Sequence, residues 1–251
     1  MNLSTSIANP QKPVSSEPSI LCNSQQFDIC IADTPKLREE VFKIRYRVYC
    51  QELGYEPLSK FSDKLERDAY DFRSIHLLLK YKPENRYIVC VRLVLSSDSF
   101  QSQFPFEKVC SRHFFDFNKN PRSHCGEVSR LAVLRNFRHW DQKNSYGDFN
   151  KRRLSMIPLT LYLAIGSIVV DLKLKYVVSF MEPRLCRQLK LCGLTFNPCG
   201  PIIEFKGRRG PFILNTSEMY PHICQDVYLY NLFKKIQANI RMNDYTNTLD
   251  E

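Results

Sequence analysis

The chain has 251 residues, 36 Lys and Arg against 26 Asp and Glu, and a net charge of +10. Its 43% hydrophobic and 25% charged residues match an ordinary globular protein with a sizeable core, and eight glycines, fourteen prolines and no fixed-period repeat exclude collagen-like, low-complexity, solenoid and propeller classes. The dinucleotide fingerprint G-x-G-x-x-G, the phosphate loop G-x-x-x-x-G-K-[ST] and the nucleophile elbow G-x-S-x-G are all missing, so the commonest nucleotide-binding and hydrolase chemistries have no support.

Residues 1–26 mix Ser, Pro, Asn and Gln without a basic start or an apolar stretch, and read as a flexible leader, not a secretory signal. From Phe27 to Ala32 apolar residues alternate as in a strand. Thr34-Pro35 then pairs an N-cap with a first-turn proline, which predicts a helix running to Leu53 and ending at Gly54. Leu37, Val41, Ile44 and Val48 form its core stripe, and Arg45, Tyr49 and Glu52 a second stripe beside it. After a polar stretch, Ile75–Tyr81 and Arg86–Leu95 read as an antiparallel hairpin turning at Lys82-Pro-Glu-Asn85.

Glu127–Leu134 reads as another strand, residues 136–150 as a polar loop and Arg152–Leu172 as an apolar helix. The uncharged run from Leu154 to Val170 falls short of the ~20 apolar residues of a membrane span, so a buried helix is expected. A strand over Tyr176–Met181, a short helix over Pro183–Leu191, a closing strand pair of Ile202–Phe205 with Pro211–Leu214, and a final helix follow. That last helix should bury Ile223, Val227, Tyr230, Phe233 and Ile236. The order implies one α/β domain over 27–241, with a mixed sheet, a central βαβ unit and a tail over 242–251. Ten scattered cysteines without C-x-x-C point to a reducing, cytoplasmic setting.

Chemistry concentrates in Glu66-Arg-Asp-Ala-Tyr-Asp71 and in Arg45, Arg92 and Arg130. Singly, each would be a solvated surface charge. Arg92 lies inside an apolar strand, however, and Arg130 precedes Leu-Ala-Val-Leu134; such charges are costly unless carboxylates meet them, and Glu66, Asp68, Asp71 and Glu127 are the available partners.

Arg45-x-x-x-Tyr49, Tyr55, E-x-D-x-x-D, the strand arginine Arg92 and E-x-x-R at Glu127–Arg130 together resemble the acyl-homoserine-lactone synthases and the long-chain N-acyl amino acid synthases. Tyr49 and Tyr55 stand where those enzymes usually carry Phe and Trp. Phe180-Met-Glu-Pro-Arg-Leu-Cys-Arg187 and Glu204-Phe-Lys-Gly-Arg-Arg-Gly-Pro211 further resemble the acyltransferases associated with exosortase systems. The likeness runs from Phe27 to Leu214. It implies a single acetyltransferase-like (GNAT) domain, with a mixed, mostly antiparallel central sheet flanked by helices. It further implies transfer of a medium or long fatty acyl chain from acyl carrier protein to the amine of an amino acid or related small molecule.

On that implication Glu127 is the base, with Asp68 and Asp71 binding the acceptor ammonium or ordering the loop. Arg45, Tyr49, Tyr55, Glu66, Arg92, Ser129 and Arg130 then surround the substrate. A regular strand would point Glu127 and Arg130 to opposite faces, so one bulge between them is expected.

Residues 135–153 lack the glycine-bearing pyrophosphate loop of CoA-dependent acetyltransferases, and instead carry six Lys and Arg against two Asp. With Pro183–Gly210 they account for +9 of the net charge, a basic face suited to an acidic partner such as acyl carrier protein. The docking residues are Lys151, Arg152, Arg153, Arg184 and Arg187. No cofactor beyond the acyl donor is expected, although acyl-CoA could serve as that donor. No nucleic-acid motif accompanies the basic face. A non-catalytic carrier-binding module and a CoA-dependent acetyltransferase are the rival readings. Cys110, His113, His124 and Cys125 offer zinc-type ligands without a zinc spacing, and Cys90 and Cys125 sit in apolar strands where thiols are inert.

Overall fold

The computed structural model describes residues 26–96, 103–110, 115–138 and 156–241. Thr34 caps the first helix, α1 (Pro35–Arg45), its Oγ1 accepting from Leu37 N at 3.3 Å. Helical geometry does not continue unchanged to Leu53: Tyr46–Glu52 is a π-helical turn. Strand β1 (Phe27–Ile31) precedes α1 and pairs antiparallel with β2 (Ser74–Tyr81), which forms the expected hairpin with β3 (Arg86–Leu95). Asn85, in the left-handed region at φ 49°, closes its turn.

A five-residue helix, α2 (Pro105–Val109), interrupts the stretch before β4 (Cys125–Val133). Strand β4 pairs antiparallel with β3 and, across the crossover helix α3 (Met156–Asp171), parallel with β5 (Tyr176–Met181). This is the expected βαβ unit. Helix α4 (Pro183–Lys190) leads through two-residue strands β6 (Asn197–Pro198) and β7 (Ile203–Glu204) to β8 (Arg208–Asn215). The sheet order is β1-β2-β3-β4-β5-β8-β6, with β7 attached to β8.

The closing pair differs from expectation. Ile203–Glu204 pairs with Arg208–Arg209 in a tight hairpin, and Pro211–Leu214 belongs to the part of β8, Gly210–Asn215, that pairs with β5. The final helix is two helices, α5 (Thr216–Gln225) and α6 (Val227–Arg241). Asp226 ends the first and caps the second, its Oδ1 accepting from Tyr228 N and Leu229 N at 3.0 and 3.1 Å; the break leaves Val227 exposed instead of buried.

Alternation divides β2 and β3 between two faces. His76, Leu78, Cys90 and Arg92 face α1, where Cys90 Sγ lies 3.8 Å from Val41 O. Ile75, Leu77, Leu79, Val91 and Leu93 face the other side, which α3 covers with α6 packed behind it. Helix α3 is predominantly apolar because most of it is buried, Leu161 to Val169 without a break. Among the described residues, no helix is long and apolar enough to cross a membrane.

Candidate active site

The parallel pairing of β4 with β5 covers only Cys125–Glu127 against Tyr176–Val178. Beyond it the strands separate, and Val128–Leu131 on one side and Ser179–Met181 on the other line a cleft of about 580 Å³. The bulge expected between Glu127 and Arg130 falls at Arg130 and Leu131 instead. Arg92 pairs with Ser129 and Cys90 with Ala132, so Arg130 and Leu131 together oppose one residue of β3, and Arg130 takes φ 54°. Glu127 and Ser129 therefore keep the face of Arg92, while Arg130 is turned toward the carboxylate loop.

That loop supplies three carboxylates to three arginines. Arg45, fully buried, donates from Nε to Glu66 and from Nη1 to Asp71 Oδ1 at 2.7 Å. Arg92, also fully buried, donates from Nη1 to Asp68 Oδ1 at 2.6 Å and Asp71 Oδ1 at 2.7 Å, and from Nε to Ser129 Oγ at 3.2 Å. Arg130 Nη2 reaches Glu66 Oε1 at 3.2 Å and Asp68 Oδ2 at 3.0 Å. Each of these three guanidinium groups thus meets carboxylates, as the cost of burying an unpaired charge requires. Burial alone would raise the Asp71 carboxyl; Arg45 and Arg92 outweigh it and hold it well below the usual carboxylate range. Asp71 Oδ2 also accepts from Asp68 N at 2.7 Å, which suits ordering of the loop better than capture of an ammonium.

Glu127 stands apart from this ion-pair net. It is 2% exposed, lines the cleft, and accepts from Phe106 N on α2 at 2.9 Å. Burial pushes its carboxyl up to about 8, against the lowering effect of the Phe106 N–H and of Arg92 and Arg130. A carboxylate so poised can exchange a proton near neutral pH.

Tyr49 and Tyr55 stack with ring centroids 6.3 Å apart at the cleft wall, and Tyr49 Oη donates to Leu131 O at 3.0 Å. The π-helical turn delivers Tyr49 to this position, a frequent use of such turns at functional sites. Arg130 lies over the Tyr49 ring and Arg209 over Tyr55. Of the residues singled out from sequence, Tyr49, Tyr55, Glu66, Asp68, Glu127, Ser129 and Arg130 line the cleft; Arg45, Asp71 and Arg92 lie behind it as its support. Arg184 and Arg187 are exposed on α4, whose Leu185 lines the cleft. Lys151, Arg152 and Arg153 lie outside the described residues, as does His113 of the zinc-type group.

The acetyltransferase (GNAT) domain family matches residues 44–144. The crystal structure of TofI, in a ternary complex with an inhibitor and MTA, superposes with a TM-score of 0.58 at 20% identity, covering 81% of this chain and 99% of that one. This chain has the GNAT fold. BjaI, a CoA-dependent acyl-homoserine lactone synthase solved with SAM and isopentyl-CoA, shares it at TM-score 0.56 and 18% identity over 84% of this chain and 89% of its own. FeeM, an N-acyl amino acid synthase from uncultured soil microbes, does so at 0.50 and 12% over 82% and 99%. At these identities the likeness is one of fold. No curated protein matches the sequence.

Within the GNAT frame, the structure adds cleft residues that sequence reasoning missed. Lys206 ion-pairs with Glu56 and lies over Tyr55, tying the β7–β8 hairpin to the Tyr55 loop. Lys206 and Gly207 both have positive φ, 51° and 95°, so the Lys-Gly dipeptide was the available turn signal. Phe106, Tyr162 and Ser179 also line the cleft, and no local pattern marks them.

Proposed function

We propose that this chain is an N-acyltransferase that moves a medium or long fatty acyl group from the thioester of acyl carrier protein to the amine of an amino acid or related small molecule. The observation that carries the reading is Glu127, a buried carboxyl at the floor of the cleft, just where β4 and β5 part. In the reaction the neutral amine attacks the thioester carbon, a C–N bond forms and the C–S bond breaks. Glu127 takes the amine proton, and the thiolate leaves and is protonated to the thiol. Peptide N–H groups of the separated strand segments are the candidate donors to the oxyanion.

The acyl chain would lie along the apolar wall made by Val128, Leu131, Tyr162, Phe180, Met181 and Leu185. The acceptor would lie toward Tyr49, Tyr55 and Asp68. Arg184, Arg187 and Lys190, three residues apart on the exposed side of α4, offer a docking face for an acidic carrier beside the cleft.

Expression in a bacterial host, followed by mass spectrometry of the extracted lipids, tests the reading. New N-acyl amino acids that vanish with Glu127→Gln are expected. No new amide lipid, with acyl carrier protein or acyl-CoA supplied, would favour a carrier-binding module without catalysis.

A further inference from the structure

Outside the cleft, one arrangement has no part in the ion-pair net yet ends on Glu127. Glu107 of α2 is nearly buried, and Arg122, on the turn before β4, grips it with both arms, Nη1 to Oε2 at 2.6 Å and Nη2 to Oε1 at 2.7 Å. Arg122 is itself fixed by stacking 3.8 Å above the centroid of Phe117. Glu107 Oε2 in turn accepts from Phe104 N at 2.7 Å, which holds the first turn of α2. Two residues on, Phe106 N donates to Glu127 Oε2. A fork of this kind is far stiffer than a single contact, because both donors and both acceptors are planar.

We propose that Arg122 and Glu107 are positioning residues for Glu127: by locking the first turn of α2 they aim the Phe106 N–H at its carboxylate and so set the pH at which it can accept the amine proton. The proposal rests on Glu127 being the base. The charged groups facing Glu127 are Arg92 on β3, Arg130 on β4 and Glu107 on α2, with Arg73 from the turn before β2. Removing Arg122 acts on this set in two ways with one sign. It removes the two Arg122 contacts that offset the Glu107 charge, and it frees α2 so that the N–H bond is weakened. Both favour protonated Glu127, so its titration moves to higher pH.

The measurement is carboxyl 13C NMR of the full chain labelled at Glu, following the Glu127 resonance from pH 5 to 10 in wild type, Arg122→Met and Arg122→Lys, with Glu127→Gln to assign the signal. Arg122→Met should raise the Glu127 midpoint by about half a pH unit or more. Arg122→Lys keeps the charge without the fork, so it should move the midpoint less and serves if the Met variant is insoluble. An unmoved midpoint in a folded Arg122 variant overturns the proposal. The acid limb of kcat/KM, measured in parallel, separates the two claims. A resonance that shifts while the limb stays put refutes Glu127 as the base and leaves the relay standing; a limb that shifts with the resonance supports both.

Discussion

A carboxyl kept from water by apolar neighbours is easier to hold protonated than ionised, and Glu127, raised by burial to about 8, must be ionised to act as a base. Stability and the proposed activity therefore pull against each other at this residue. With the folded value above the unfolded one of ~4.3, its contribution to stability is complete below pH ~4.3 and is lost as pH rises toward 8. Glu127→Gln should consequently melt higher than wild type by a margin that grows between pH 5 and 8, while kcat falls by about 10²-fold. Thermal melts across that range, paired with turnover, check it; a variant less stable than wild type at pH 8.5 would contradict it. Asp71 acts in the opposite sense, since it serves Arg45 and Arg92 together. Asp71→Asn leaves two fully buried guanidinium groups short of charge and should cost several kcal/mol in urea unfolding. An unchanged urea midpoint would mean that Glu66 and Asp68 suffice for both arginines.

At the scale of elements, what could be read depended on whether the cause was local. The start of α1 was legible because Thr34 and Pro35 act on the adjacent backbone. The β2–β3 hairpin and the predominantly apolar α3 were legible from period and turn residues. The buried arginines were readable because the cost of burial demands partners. Where the cause lies far along the chain, the reading failed. The π-helical turn is fixed by Tyr49 bonding to Leu131 and by Glu52 accepting from Arg135 N, contacts more than eighty residues apart. Helix α2 is too short for a period to show, so Phe106 and its bond to Glu127 were missed. The break at Asp226 was visible in principle, since Asp is a preferred N-cap, but the spacing of apolar residues ran across it. Asp226→Ala should cost roughly 1 kcal/mol of stability and Asp226→Ser little, both read from urea midpoints. Equal midpoints for all three proteins would show that packing alone positions α6.

For the whole molecule, the sheet brings the buried carboxyl of Glu127, the stacked rings of Tyr49 and Tyr55 and an exposed basic helix to one opening, because β4 and β5 separate after three paired residues. The donor claim is tested on that helix. Arg184→Glu with Arg187→Glu should raise KM for acyl carrier protein at least several-fold and leave a short acyl-pantetheine unaffected. Added salt should act similarly, since exposed charges are screened over ~8–10 Å. Equal effects on both donors would remove α4 from docking. The central claim is amide formation in the cleft. It is tested most directly by incubating the purified protein with fatty acyl carrier protein and a panel of amino acids, and following the N-acyl product by mass spectrometry for wild type and Glu127→Gln. The account predicts an N-acyl amino acid that requires both the thioester and the amine, whose rate rises with pH toward about 8 and drops about 10²-fold in the variant; no amide from any donor, or equal rates from the two proteins, would contradict it.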